Sequence, residues 1–409
     1  MTAMPDPAAS MTGMAPALAE TSPETRQMVI RRSTMIALIA FLTLIDLFGS
    51  QALLPTLVEV YGVSPAAMGF AVNASTIGMA AASLIVALFA RKIDRRRGIW
   101  MCLALLSVPT MLLAQQPDLT TFTLLRVAQG VFMSAAFTLT LTYLSEECSL
   151  TAVGGAMAAY ITGNVASNLF GRLLASGIAD NIGLPESFYG FAMLNLAGAL
   201  AAYLYLGGKD GARRNHAQDA GSVVEAWKDH LSNAKLVAMV AIGFILLFVF
   251  VATFTYANFI LSEAPFALPQ TYIGFVYFVF VPAILTTPLA AASVKRYGAR
   301  ASFHGSIIAS LLGLVLLLTP SLTLFLIGLA LVGAGLFFAQ SVATSYVGRT
   351  ATHDHAAANG LYLASYYVGG ISGAFVIGRV FEAQGWALSV GVLVALTALA
   401  GALSFKMAR

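Results

Sequence analysis

Charge is scarce in this sequence. Asp, Glu, Lys and Arg make up 10% of its 409 residues, against about 25% in a soluble domain, and they are missing from long runs rather than thinned evenly. That excludes an ordinary water-soluble fold. Cysteine is nearly absent as well. Cys102 and Cys148 form no motif with each other, which excludes a disulfide framework and a cysteine-rich metal site. The five histidines (His216, His230, His304, His353 and His355) lie in or beside polar connecting segments, and His353-x-His355 is too weak a pattern to name a metal. No P-loop, zinc spacing, nucleophile elbow or catalytic triad occurs. The chain therefore reads as neither an enzyme nor a metalloprotein, and no nucleic-acid partner is expected. Residues 1–33 are rich in Met, Ala and Pro and lack the apolar core of a signal peptide. They read as a disordered cytosolic tail, with the first span uncleaved.

What is present is hydrophobicity, 59% of all residues. A helix crossing about 30 Å of hydrocarbon needs about 20 apolar residues. Cutting at Pro, Gly and charge clusters predicts spans near 34–55, 68–90, 99–116, 121–144, 153–177 and 188–206. A second set falls near 236–261, 272–293, 304–320, 321–345, 356–380 and 386–405. The result is an all-α membrane protein of twelve transmembrane helices, with six-helix halves over 34–206 and 236–409. A cytosolic linker, 207–235, joins them. Ser222 and Glu225 form a capping-box pattern, after which Val223, Val224, Trp227 and Leu231 share one helical face, so a short helix lying on the cytosolic leaflet is expected.

With the N-terminus in the cytosol, 19 of the 22 Lys and Arg fall in cytosolic segments, and the other three, Arg126, Arg172 and Arg379, lie inside spans. The positive-inside rule is thus satisfied with both termini cytosolic.

The halves repeat. YITGNVASNLFGR (160–172) and YVGGISGAFVIGR (367–379) align at an offset of 207. Gly163, Ser167 and Gly171 in the first, and Gly370, Ala374 and Gly378 in the second, recur every fourth residue. Such stripes let a neighbouring helix backbone approach closely. DRRRG (94–98) and VKRYG (294–298) match loosely. Tandem repeats of this kind are an architecture of transporters.

The chain from about residue 34 to its end resembles a major facilitator superfamily transporter. ARKIDRRRG (90–98) is similar to the family's G-x-x-x-D-R-x-G-R, with Asp94 and Arg95 matching, Ala90 in place of the first glycine and Gly98 one residue late. LLRVAQG carries Arg126, Gln129 and Gly130 of R-x-x-Q-G. DLFGSQALLP resembles the acidic-to-proline pattern in the first span of twelve-helix drug:proton antiporters. Where those antiporters have a Gly-Pro pair in span 5, this chain has Ser167, Asn168, Gly171 and Arg172. The resemblance implies two pseudo-symmetric six-helix bundles around a central cavity, in a bacterial inner membrane, working by alternating access.

Within the spans four charges stand out: Asp46, Arg126, Arg172 and Arg379. Each costs about 2.5–3.5 kcal/mol at a helix centre unless paired or hydrated. The resemblance makes spans 1 and 4 cavity neighbours, where Asp46 and Arg126 can meet or share a water. The counterparts of these two charges in the second half fall near Phe248 and near Ala330 to Gly333, so neither is repeated. That asymmetry favours a task, read as proton coupling with Asp46 as the proton carrier; an inert ion pair tying two helices together is the structural alternative. Arg172 and Arg379 are repeated. Arg379 reads as an anchor within reach of Glu382 or headgroups. Arg172, whose nearest following acid is Asp180, is a gate, an anchor or an anion contact. Gly171 and Gly378, with Asp94 and Arg95, belong to the same gating or anchoring group. Gln51, Asn73, Gln129, Asn164, Asn168, Tyr256, Asn258, Tyr277, Gln340 and Tyr366 are the expected cavity-lining residues.

Two functions remain open at this point. One is proton-coupled export of a small amphipathic or drug-like molecule. The other is proton-coupled import or exchange of a small organic anion, using Arg126 or Arg172. The expected partners are that small molecule, protons and the bilayer. The chain reads as a monomer with the proton gradient in place of a cofactor.

Overall fold

A computed structural model describes residues 23–89, 93–147, 150–206, 223–350 and 355–407. The described residues are helical throughout, joined by turns. The first half comprises α1 (Pro23–Ala52), α2 (Leu54–Tyr61), α3 (Pro65–Asn73), α4 (Ser75–Phe89), α5 (Arg95–Leu113), α6 (Leu119–Glu147), α7 (Leu150–Asn181) and α8 (Leu184–Leu206). After α9 (Val223–Ser232), the second half runs α10 (Ala234–Ser262), α11 (Gln270–Val276), α12 (Val281–Thr286), α13 (Ala290–Tyr297), α14 (Ala299–Leu316), α15 (Leu322–Thr350) and α16 (His355–Leu403).

Nine helices among the described residues are long and apolar enough to cross a membrane. Three further crossings follow from geometry. The 32-residue α7 is one. The segment from α11 to α13 is another, broken by short 3-10 turns at Tyr277–Phe280 and Thr287–Leu289, where Pro282 and Pro288 remove backbone donors. The third comes from α16, which turns a corner at Gly385 (φ 78°, ψ −172°) and so crosses twice. Twelve crossings result.

The boundaries move in two places. Pro23 sits at the first turn of α1, so residues 23–33, expected in the tail, are helical; residues 1–22 lie outside the described residues. Helix α9 forms, but Trp227 Nε1 donates to the Ala357 carbonyl of α16 at 3.2 Å. The helix is held against the second bundle through its tryptophan, and Leu231 stays exposed. Ser222 lies outside the described residues.

By the alternation of the crossings, the turns after α2, α5, α7, α10 and α14 and the corner at Gly385 fall at one end of the molecule, called the short-turn end. The basic segments gather at the other. Caps fix these turns. Asp118 accepts from the Thr120 and Thr121 amides and from Thr121 Oγ1, and those bonds, the Thr121 hydroxyl's first, hold its carboxyl below the usual range. At the basic end Asp94 caps α5, accepting from Arg97 N at 3.0 Å, and Arg95 Nη1 donates to the Ile93 carbonyl at 2.7 Å.

Helix pairs are set by small residues. α7 lies along α1, where a β-carbon on Gly163 would crowd the Ala37 carbonyl far inside 3.0 Å and one on Gly171 would stand 2.9 Å from the Ile45 carbonyl. In the second half α16 lies along α10 through Gly369 and Gly373, which face the Phe244 and Phe248 carbonyls. The close approach thus falls one position before the expected stripe. Gly370 and Gly378 instead touch the first bundle, at Thr76 and Ala66, as well as Leu247 and Tyr256. Gly163→Leu and Gly369→Leu should each lower the melting temperature in detergent by several degrees, as overpacking costs about 1–3 kcal/mol. Gly177→Leu in the same α7, where a β-carbon meets nothing within 4 Å, should leave it unchanged. Equal melting temperatures for all three variants would contradict this packing.

Outer faces carry exposed Leu200, Leu204, Ile308 and Leu312, as helices bordering hydrocarbon require. α3 and α4 meet α16, and α7 meets α11 and α12, so these contacts join the two bundles.

Candidate functional site

Two buried polar centres occupy the apolar interior. The first is inside the first bundle. Asp46 is 1% exposed. Its Oδ2 accepts from Thr110 Oγ1 at 2.7 Å, Asn195 Nδ2 at 2.8 Å and Gln129 Nε2 at 3.2 Å, while Oδ1 has no hydrogen-bond partner. Arg126, wholly buried, does not reach the carboxylate directly. Its Nη1 donates to Gln129 Oε1 at 2.6 Å and to the Asp46 main-chain carbonyl at 3.5 Å, so Gln129 stands between the two charges as a relay. Arg126 Nη2 donates to Ser75 Oγ at 3.3 Å.

The backbone explains this placement. Between α3 and α4 the chain is interrupted at Ala74, where three-residue bonds replace the regular ladder (Ala74 N to Ala71 O, Ile77 N to Ala74 O). The Val72 carbonyl there accepts from Arg126 Nε at 2.8 Å. Gly130 of the R-x-x-Q-G stretch lies so near the Ser75 carbonyl that no β-carbon fits. The glycine brings α6 onto the break, and the arginine one turn earlier satisfies it.

The second centre crosses between the bundles, toward the short-turn end. Arg172 Nη2 donates to Gln51 Oε1 at 2.5 Å and Nε to Asn168 Oδ1 at 3.0 Å. Gln51 Nε2 donates to Asn73 Oδ1 at 2.7 Å, and Asn73 Nδ2 donates to Thr255 Oγ1 in the second bundle at 3.2 Å. From that side Asn258 Nδ2 donates to the Gln51 carbonyl at 2.8 Å, and Tyr277 OH donates to Asn258 Oδ1. The Arg172 guanidinium stacks over Tyr277 at 4.1 Å from the ring centre, with Phe48 and Phe280 flanking it. The repeat offset of 207 relates Gln51 to Asn258, so equivalent amides of the two halves meet at the pseudo-symmetry axis. The same register, fixed by Ala37 and Phe244 facing Gly163 and Gly369, places Thr253, not Phe248, opposite Asp46.

The remaining residues separate. Tyr256 is a wedge rather than a cavity wall; its OH donates to the Ala374 carbonyl at 2.7 Å and it fills the space beside Gly69 and Gly378. Asn164, Gln340 and Tyr366 stay half-buried, outside the clasp that the second centre forms between the bundles. Arg379 is exposed over the Phe375 ring at 5.8 Å. Glu382 does not serve it but accepts from Ala66 N of the other bundle at 2.9 Å, capping α3. Thr110, Asn195 and Thr255 are new to the site. Their signal was only that of polar side chains in apolar spans, and spans 3, 6 and 7 gave no reason to single them out.

Two six-helix halves, with one polar centre buried in the first and a second crossing the interface between them, define a membrane transporter. The chain belongs to the Major Facilitator Superfamily, whose family model matches residues 36–285 and 258–408. It is 26% identical over 369 residues to the uncharacterized MFS-type transporter YybF of Bacillus subtilis, covering 90% of this chain and 91% of that one. It is 28% identical over 350 residues to the inner membrane transport protein YnfM of Escherichia coli, covering 86% and 84%. Among solved structures it is similar to a mutant of the nucleoside transporter NupG (TM-score 0.74, 16% identity, 92% and 100% covered). It is also similar to a bacterial homologue of the human lysosomal transporter Spinster in an inward-facing, unoccupied conformation (TM-score 0.71, 14% identity, 92% and 96% covered).

Proposed function

We propose that the protein is a proton-coupled secondary transporter that exports a small amphipathic molecule by alternating access, as the drug:proton antiporter branch does. It acts as a monomer in a bacterial inner membrane. The Lys and Arg distribution supports a cytosolic basic end; in that orientation the clasp seals the periplasmic side, with Asn164, Gln340 and Tyr366 toward the cytosolic half.

The observation that carries the reading is Asp46. It is the buried acid of the polar centre among α1, α5, α6 and α8, with three donors on Oδ2 and Oδ1 left for a proton. Gln129 ties its protonation to the position of Arg126. A shift of α6 against α1 alters that relay, and with it the balance between charged and neutral Asp46. No bound metal or organic cofactor enters this scheme; the proton gradient supplies the energy.

Purified protein in proteoliposomes with an imposed pH gradient tests it. Within a panel of amphipathic solutes, at least one should collapse the gradient in a concentration-dependent way that empty vesicles do not show. A gradient indifferent to the whole panel would count against proton coupling.

A further inference from the structure

Asn164, Asn168, Arg172 and Ser176 recur every fourth residue along α7, and Arg172 and Ser176 meet Tyr277, Phe280 and Gly274 of the second bundle. Each keeps one buried atom without a hydrogen-bond partner: Asn164 Oδ1, Asn168 Nδ2, Arg172 Nη1 and Ser176 Oγ. Asn168, Arg172 and Ser176 are at most 1% exposed, and their three unpartnered groups can all donate. The companions of the guanidinium are neutral: two amide oxygens, the ring and hydroxyl of Tyr277, and the faces of Phe48 and Phe280. Amides and rings replace only part of the hydration of a buried cation. Arg126 is the internal contrast, for its Nε, Nη1 and Nη2 all have partners. Of the two buried arginines among the described residues, Arg172 alone has a whole terminal nitrogen, Nη1, without a partner.

We propose that this α7 face binds the carboxylate of the transported solute, a small amphipathic organic acid. Arg172 Nη1 and Asn168 Nδ2 donate to the carboxylate, and the Tyr277 and Phe280 rings border its apolar body. Half-buried Asn164, two turns nearer the basic end, marks the approach. A carboxylate on Nη1 shares the guanidinium with Gln51 Oε1 on Nη2, so binding draws on the same group that holds the clasp shut. The inference rests on the transporter reading above and names its substrate class.

Binding to the full-length protein in detergent, by calorimetry and thermal shift, tests the site with matched pairs: phenylacetate against phenylacetamide, and short straight-chain carboxylates against their amides. At least one carboxylate should bind about thirtyfold or more tightly than its amide, the loss typical when one partner of a buried charge pair is removed. Arg172→Gln should erase the preference and Arg172→Lys should restore part of it, while Arg379→Gln keeps it in full. Should Arg172→Gln fail to fold, the wild-type pairs decide by themselves. Carboxylates and amides that bind alike, or a panel in which neither binds, overturn the proposal. Proton flux in vesicles separates the two readings. Flux driven by neutral or cationic solutes without any carboxylate preference removes the anion site and leaves the transporter. Carboxylate binding without flux supports the site and removes the coupling.

Discussion

In inverted vesicles with an imposed pH gradient, Asp46→Asn should accumulate solute no faster than vesicles without the gradient, while binding the solute as the wild type does. Asparagine keeps the shape of the side chain and can still accept from Thr110 Oγ1 and Asn195 Nδ2, which hold the carboxylate at 2.7 and 2.8 Å. The exchange therefore preserves the packing among α1, α5, α6 and α8 and removes only the titratable proton. Facilitated movement down a solute gradient persists, because the interface between the bundles is untouched. Uphill movement fails, because no proton is carried. With expression matched between variants, accumulation at the wild-type rate would show that the coupling proton travels elsewhere.

Gln51→Leu should open the short-turn end. Gln51 is the hub of the clasp: it accepts from Arg172, donates to Asn73, and its carbonyl accepts from Asn258. Leucine leaves a guanidinium and an amide oxygen unserved in a buried site. Each unsatisfied group costs about 1–3 kcal/mol and a charged one more, so the equilibrium should move at least about tenfold toward the state in which water reaches them. Spin labels at Ile182 and Tyr272, both exposed at the short-turn ends of α7 and α11, report across the two bundles. Their distance distribution should gain a longer component in the variant. An unchanged distribution would mean that apolar contacts such as Phe70 against Phe375 hold that end closed without the clasp.

The fold was largely legible in the sequence because membrane spans are written in length and composition. Apolar runs, basic segments and the repeat at offset 207 suffice for twelve crossings in two halves. What the sequence concealed is angular. The stripe at Gly370, Ala374 and Gly378 has the right period, yet the contact falls on Gly369 and Gly373, because one residue of rotation, about 100°, decides which face meets α10. The Asp46 centre was half legible. The charges identified themselves by their cost, but their meeting through Gln129, and the donors Thr110 and Asn195, depend on which way α5 and α8 turn. A hydroxyl or an amide in an apolar run is too common to announce such a role. Arg172 was conspicuous from the start and Gln51 and Asn168 were among the polar candidates, but their pairing depends on how α7 lies along α1.

α1 carries both centres, Asp46 facing α5, α6 and α8, and Gln51, five residues on, reaching Arg172 and Asn73 with its side chain and Asn258 of the other bundle with its carbonyl. At about 1.5 Å per residue they lie roughly 7.5 Å apart along one rod, with Ser50 Oγ bonded to the Asp46 carbonyl between them. Fuel and latch are thus mounted on the same axle, and rolling it moves both together. Slippage, the waste of protons without cargo, has a definite address in such a machine. It requires the axle itself to twist between Asp46 and Gln51, where Gly49 already stands, so a second glycine there, Ser50→Gly, should produce an idling carrier before it produces an unfolded one.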